Sequence, residues 1–352
     1  MAYKKWNRRK MRAQQKYLKT RYDFTKDERF LFDAQCLKDI LAGKVNPFSY
    51  SLSFNDQMVD DAAAIDLYYD FLDDICDFAR VNTKKFDDIK VFEADPIGNL
   101  TPSLLFSFLK EFFYEFDKEF GTVFDYIHEE RFNNLMFSSH RSISFHVPSL
   151  KYSYINITKN DTVVDFLNSV HEYTHSIVDY LCYRESEGAY PFCELVSLFM
   201  ELIAADYMCE IYSGMEDDLN TIRLAGAKNI CIFAENISIE KDYFYAYDGY
   251  EDRKFVEDTI YNETGKSYKY IDEMFEKSAM EKLSYTIPYL TAIELYYLYK
   301  EDKKKCVDLI KYLMFVTNKE NYNVDLNDNG ILLNQHSEEW IDTLIKRKKS
   351  LK

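Results

Sequence analysis

The stretch from Asp161 to Met208 constrains this chain more than any other part of it. It runs through Val163, Val164, Phe166, Leu167 and Val170, then His171-Glu172-Tyr173-Thr174-His175, then Ile177, Val178 and Leu181. That spacing of apolar residues predicts a long, mostly buried helix. His171 and His175 stand four apart, so one helical turn brings both imidazoles to the same face, with Glu172 at its edge. Nineteen positions after His175, in the apolar segment PFCELVSLFMELIAADYM, stands Glu194, and Ser197 and Glu201 share its face at i+3 and i+7. Two core histidines in a structural role are one account of the pair. They would leave several polar groups on apolar helices without the strong partner that burial demands. Two histidines, one carboxylate and a fourth position held by water make up a catalytic zinc site. Such an ion lowers the pKa of water to about 7 and polarises a carbonyl. A carboxylate placed like Glu172 can take the water's proton and pass it to a leaving amine. Ser197 or Glu201 can orient a histidine ligand.

HEYTH, followed by a helix reading Glu-x-x-Ser-x-x-x-Glu, resembles the thimet oligopeptidase and oligoendopeptidase F family of zinc peptidases. The resemblance implies one Zn2+ per chain, held by His171, His175 and Glu194, with Glu172 as general base. It extends upstream through SISFHVPSLKYSYINITKNDTVVDFLNSV, which is similar to the family's strand pair leading into the metal helix. Asn156 stands where that pair carries an Asn. Downstream, YTIPYLTAIELYYLY resembles a Tyr-rich helix that completes the site, and about residues 140–300 are covered in all. Thr174 replaces the family's usual Gly and Val178 an accompanying His, and the step from His175 to Glu194 matches aminopeptidase-type zinc enzymes. These departures leave subfamily and substrate open.

Gly and Pro number only 9 and 6 in 352 residues, and 47% of the chain is apolar, which predicts a largely helical protein with a full core. The expected fold class is mainly α: a helical zincin-like metallopeptidase with a small β-hairpin or sheet beside the metal-binding helix. Residues 1–137 are expected to form a helical N-terminal part packed on a catalytic part, 138–352. Thr25 is expected to cap a helix reaching Ala42, Thr101 and Pro102 to open one that stops at Gly121, and a further helix to run from Val123 to about Leu135. Strands are expected at Ser142–Val147 and Lys151–Thr158 around a Pro148-Ser149 turn, with an edge that can take up an extended peptide. His146 on the first is a candidate substrate contact. Asp161 or Thr162 is expected to cap the metal helix, and Gly188 to lie in the turn after it. Helices are expected near 217–235, 239–262 and 268–282, with a Tyr-rich segment around Gly249.

In Ser284–Tyr299 a phenol can stabilise the oxyanion of acyl transfer, with Tyr285 the first candidate and Tyr289 the second. The net charge of −16 disfavours nonspecific nucleic-acid binding. No run approaches the roughly 18 apolar residues of a membrane span, and neither nucleic acid nor membrane is an expected partner. Seven scattered cysteines without a CxxC pair, and no signal-peptide pattern, read as a cytoplasmic protein with reduced thiols. The expected function is a zinc-dependent endopeptidase acting on oligopeptides. A zinc aminopeptidase-type hydrolase and a non-catalytic helical protein retaining the motif stay open.

Overall fold

A computed structural model describes residues 8–42, 61–86, 101–129, 133–138, 142–147, 152–158, 162–182, 194–212, 214–248, 258, 261–262, 280–315 and 326–350. Helices dominate them. In chain order come α1 (Arg8–Thr25), α2 (Glu28–Ala42), α3 (Asp61–Asn82), α4 (Pro102–Phe116) and α5 (Lys118–Glu129). Strands β1 (Asn133–Ser138), β2 (Ile143–Val147) and β3 (Tyr152–Thr158) follow. The chain then returns to helices: α6 (Val163–Cys182), α7 (Leu195–Ile211), α8 (Glu216–Asp248), α9 (Met280–Glu301), α10 (Lys303–Phe315) and α11 (Ser337–Ser350). No helix among the described residues is long and apolar enough to cross a membrane.

Local chemistry accounts for the helix starts near the site. Thr101 accepts a hydrogen bond from the Leu104 amide, and Pro102 takes the first helical position, where its missing N–H costs nothing. Thr162 caps α6, its hydroxyl accepting from the Val164 amide at 3.2 Å. Two other expected boundaries move. Thr25 closes α1 instead of opening α2. Its hydroxyl accepts from the Asp27 amide while Lys26, at φ 59°, turns the chain. Gly121 does not end a helix but lies inside α5. A Cβ there would overlap the Tyr114 ring, so glycine serves the close approach of α4 to α5. The break falls earlier, at Asp117, whose carboxylate accepts from the Glu119 amide at 2.9 Å.

The β part of the fold-class expectation is corrected. The strands beside α6 are not a hairpin of two but a three-stranded mixed sheet in the order β1-β3-β2. β2 runs antiparallel to β3, with Ser144 opposite Ile155. β1 runs parallel to β3, with Asn133 opposite Ser153. β1, Asn133–Ser138, overlaps the end of the helix expected to reach about Leu135, where Leu135 alone lies near the apolar face of α5. The partner that makes this segment a strand lies about twenty residues downstream, beyond any local pattern. The Pro148-Ser149 turn, the Gly188 turn and the Gly249 segment lie outside the described residues, as does most of the expected 268–282 helix. The two helices expected between 217 and 262 begin instead as one unbroken helix, α8.

α6 packs against β3, β2, α4, α5 and α7, and α7 against α9. Phe166, Val170, Tyr173 and Ile177 of α6 and Phe199, Met200 and Ala204 of α7 are wholly buried. The same core takes in α3, α4, α5, α8, α9, α10 and α11. Each buried Phe or Leu contributes on the order of 2 kcal/mol, so the polar residues of α6 and α7 stand on a firm frame. A second, smaller core joins Met11 and Leu18 of α1 to Ala34, Leu37 and Ile40 of α2 and to Val147 of β2.

Candidate metal centre

Because α6 is a continuous helix, His171 and His175 lie one turn apart, and their Nε2 atoms stand 3.0 Å from each other. Glu194 immediately precedes α7, in helical conformation and with no capping role for its side chain. Its Oε2 lies 3.1 Å from Nε2 of His171 and 3.3 Å from Nε2 of His175. Among the described residues these three side chains form a group able to hold a metal ion.

The donor set fits such an ion. With Nδ1 of His171 turned to Glu201, the lone pair of that ring in its neutral form lies on Nε2. That nitrogen faces another imidazole nitrogen and a carboxylate oxygen, so three possible ligand atoms converge on one point. Tetrahedral ligands about 2.0–2.1 Å from a zinc ion stand about 3.3 Å from one another, close to the separations here. Ser197 donates to the Glu194 backbone carbonyl at 3.0 Å and lies 3.4 Å from Oε2 of its carboxylate, so it can orient that side chain.

The electrostatics follow from this crowding. Burial opposes a charge on His171, but the carboxylates of Glu201 and Glu194 outweigh it and hold the imidazole well above its usual value. Burial acts against His175 in the same way and Glu194 again prevails. Burial would raise Glu194, yet His175 and His171 keep it well below the ordinary carboxylate range. Glu172 behaves differently. It is 5% exposed, and burial pushes its carboxyl up against the opposing pull of His171 and His175. Ser144 of β2 lies beside it and pulls the carboxyl down as the histidines do. Thus the sheet touches the acid beside the metal ligands. The sequence reading did not single out Ser144, and only the pairing of β2 with β3 under α6 reveals it.

The remaining candidates lie at varied depth. Asn156 is wholly buried at the centre of β3, opposite Ile143 and Met136. It belongs to the row of the pleat that alternates with Ile155 and Ser144. His146 pairs with Ser153, and its side chain lies outside the described residues. Tyr285 is half-buried at the edge of the main core. Tyr289 is buried, its hydroxyl facing Gly226 of α8, with burial pushing the phenol up. On the far side of α6, the Tyr173 hydroxyl shares a 3.1 Å hydrogen bond with Nδ1 of His128. This contact anchors the metal helix to α5 and was not foreseen.

No protein-family model and no curated protein matches the sequence. Solved structures do match the fold. A protein of Chlamydophila abortus assigned as a peptidase superimposes with a TM-score of 0.59 at 14% identity, over 82% of this chain and 56% of its own. PZ peptidase A, solved with an inhibitor, gives 0.54 at 11% identity, over 92% and 69%. A protein of Bacillus anthracis str. Ames assigned as oligoendopeptidase F gives 0.51 at 13% identity, over 99% and 67%. The chain therefore shares its fold with these peptidase structures and spans about two thirds of the length of most of them.

Proposed function

We propose that this chain is a zinc-dependent endopeptidase of the thimet oligopeptidase and oligoendopeptidase F type, acting on oligopeptides. The observation that carries the reading is the convergence of His171, His175 and Glu194 on one point with the Glu172 carboxyl beside it. The shared fold supports it.

His171, His175 and Glu194 would hold the ion. When bound, zinc supplies a Lewis acid that polarises the scissile carbonyl and makes water nucleophilic near neutral pH. Glu201 fixes the His171 ring through Nδ1, and Ser197 steadies the Glu194 carboxylate. Glu172 accepts the proton of the attacking water and delivers it to the departing amine nitrogen. A phenol of α9 donates to the developing oxyanion. Tyr285, which is half-buried, suits that role better than Tyr289, which is 6% exposed. Asn156 and His146 belong to the sheet on which an extended substrate would lie. A cytoplasmic site of action accords with the reduced cysteines among the described residues.

Internally quenched peptides of about ten residues, half of them N-acetylated, test the reading. Cleavage at internal bonds, equal for blocked and free peptides, abolished by chelator and restored by zinc, is the expected result. Cleavage only of peptides with a free amine would assign an aminopeptidase instead. No cleavage by zinc-loaded protein would leave a non-catalytic helical protein.

A further inference from the structure

The chain's charge is unevenly placed. Residues 1–26 hold ten Lys and Arg against one Asp, while the other 326 residues hold 34 against 59. A net charge of −16 therefore hides a strongly basic element. In the structure residues 8–25 of that element form α1, and five of its cations share one side of the helix. At about 100° per residue, Arg8, Arg9, Arg12, Lys16 and Lys19 fall within an arc of about 100°. Four of them, Arg8, Arg12, Lys16 and Lys19, follow an i, i+4, i+8, i+11 line about 17 Å long. All five are exposed, and none forms an ion pair among the described residues despite the excess of acids in the chain. The helix is held in place from another side, where Met11 and Leu18 are buried against α2. Beside the cationic stripe lies an aromatic one. Tyr17 and Phe24, seven residues apart, are 51% and 87% exposed, and Phe24 is the most exposed large apolar side chain described.

From this we infer a second interaction surface, separate from the metal centre: α1 binds a single-stranded polynucleotide. The Arg8–Lys19 stripe lies along the phosphates, and Tyr17 and Phe24 offer rings on which bases stack. Charge complementarity requires an anionic partner, and the shape of the patch selects among them. A line of cations matches a linear polyanion. An anionic bilayer calls for a broad apolar face between the cations, and the aliphatic residues of α1 that could build one, Met11 and Leu18, are already buried. Nothing in this inference depends on the chain being a peptidase.

Fluorescence anisotropy of the full chain with a labelled 20-nucleotide oligo(U), with oligo(dT) in a second arm, tests it. Five phosphate contacts predict a slope of about −3.5 for log affinity against log salt, a loss of about 100-fold between 50 and 200 mM salt. Arg12→Gln, Lys16→Gln and Lys19→Gln together should cut the slope to about −1.4 and weaken binding at least 10-fold at 50 mM. Phe24→Ala should weaken binding about 5-fold or more and leave the slope unchanged. These positions are exposed, so the helical circular dichroism of both variants should match the parent. No binding at 50 mM salt, or binding indifferent to the triple substitution, would overturn the inference. So would tighter binding to vesicles rich in phosphatidylserine than to either oligonucleotide, which would make α1 a membrane-surface element.

Discussion

Glu172→Gln should abolish peptide hydrolysis while leaving the metal in place. The residue is not among the three converging donors, so zinc per chain should equal that of the parent. The carboxyl and the carboxamide are nearly the same size, and Gln can still meet Ser144, so the packing under α6 should persist. What disappears is the group able to take a proton. General acid–base catalysis of this kind contributes about 10²–10⁴-fold, and kcat should fall by that amount with KM little changed. Steady-state turnover of a quenched peptide, read beside metal analysis of the same sample, checks both halves. Hydrolysis within a few fold of the parent would remove Glu172 from the chemistry.

The second large effect concerns the frame. Arg223 of α8 is 5% exposed, and its guanidinium donates to Asp206 at 2.7 Å and to the backbone carbonyl of Leu202 on α7. Tyr296 of α9 donates to the other oxygen of Asp206 at 2.7 Å, and Arg223 lies over the rings of Tyr296 and Trp340. One charge cluster thus joins α7, α8, α9 and α11. Asp206→Asn leaves a buried guanidinium without its counter-charge and should cost about 3 kcal/mol in denaturant unfolding. The double variant Asp206→Leu with Arg223→Met removes both charges and should cost less than the single one. Burial raises the Asp206 carboxyl, but Arg223, Lys300 and Tyr296 prevail, and it lies below its ordinary value. The cluster's contribution is therefore fully present above the ordinary Asp value near 4 and is lost as pH falls through the lower, folded value. An Asp206→Asn protein as stable as the parent at pH 7 would show that the cluster carries no net stability.

Much of the candidate site was legible because its signals are local. The i, i+4 pair in HEYTH needs only helical geometry, and the i, i+3, i+7 face of α7 brings Ser197 to Glu194 and Glu201 to His171. What joins α6 to α7 was carried by composition alone: two apolar helices, each with a polar face, satisfy one another. Contacts set by distant pairing were not legible. Ser144 reaches Glu172 only because β2 lies under α6, and β1 is a strand only because β3 arrives beside it. Single residues also misled where two forces compete. Gly121 reads as a helix terminator by propensity, yet it sits within α5 because the Tyr114 ring leaves no room for a side chain. Net charge hides another local feature, because it averages a basic α1 with an acidic remainder.

The central claim is that His171, His175 and Glu194 hold one zinc ion. Zinc per chain, measured in protein purified without chelator or added metal and set beside Glu194→Gln, tests it most directly. About one zinc in the parent and far less in the variant is the predicted result. Little zinc in the parent, with none taken up when zinc is supplied, would contradict it.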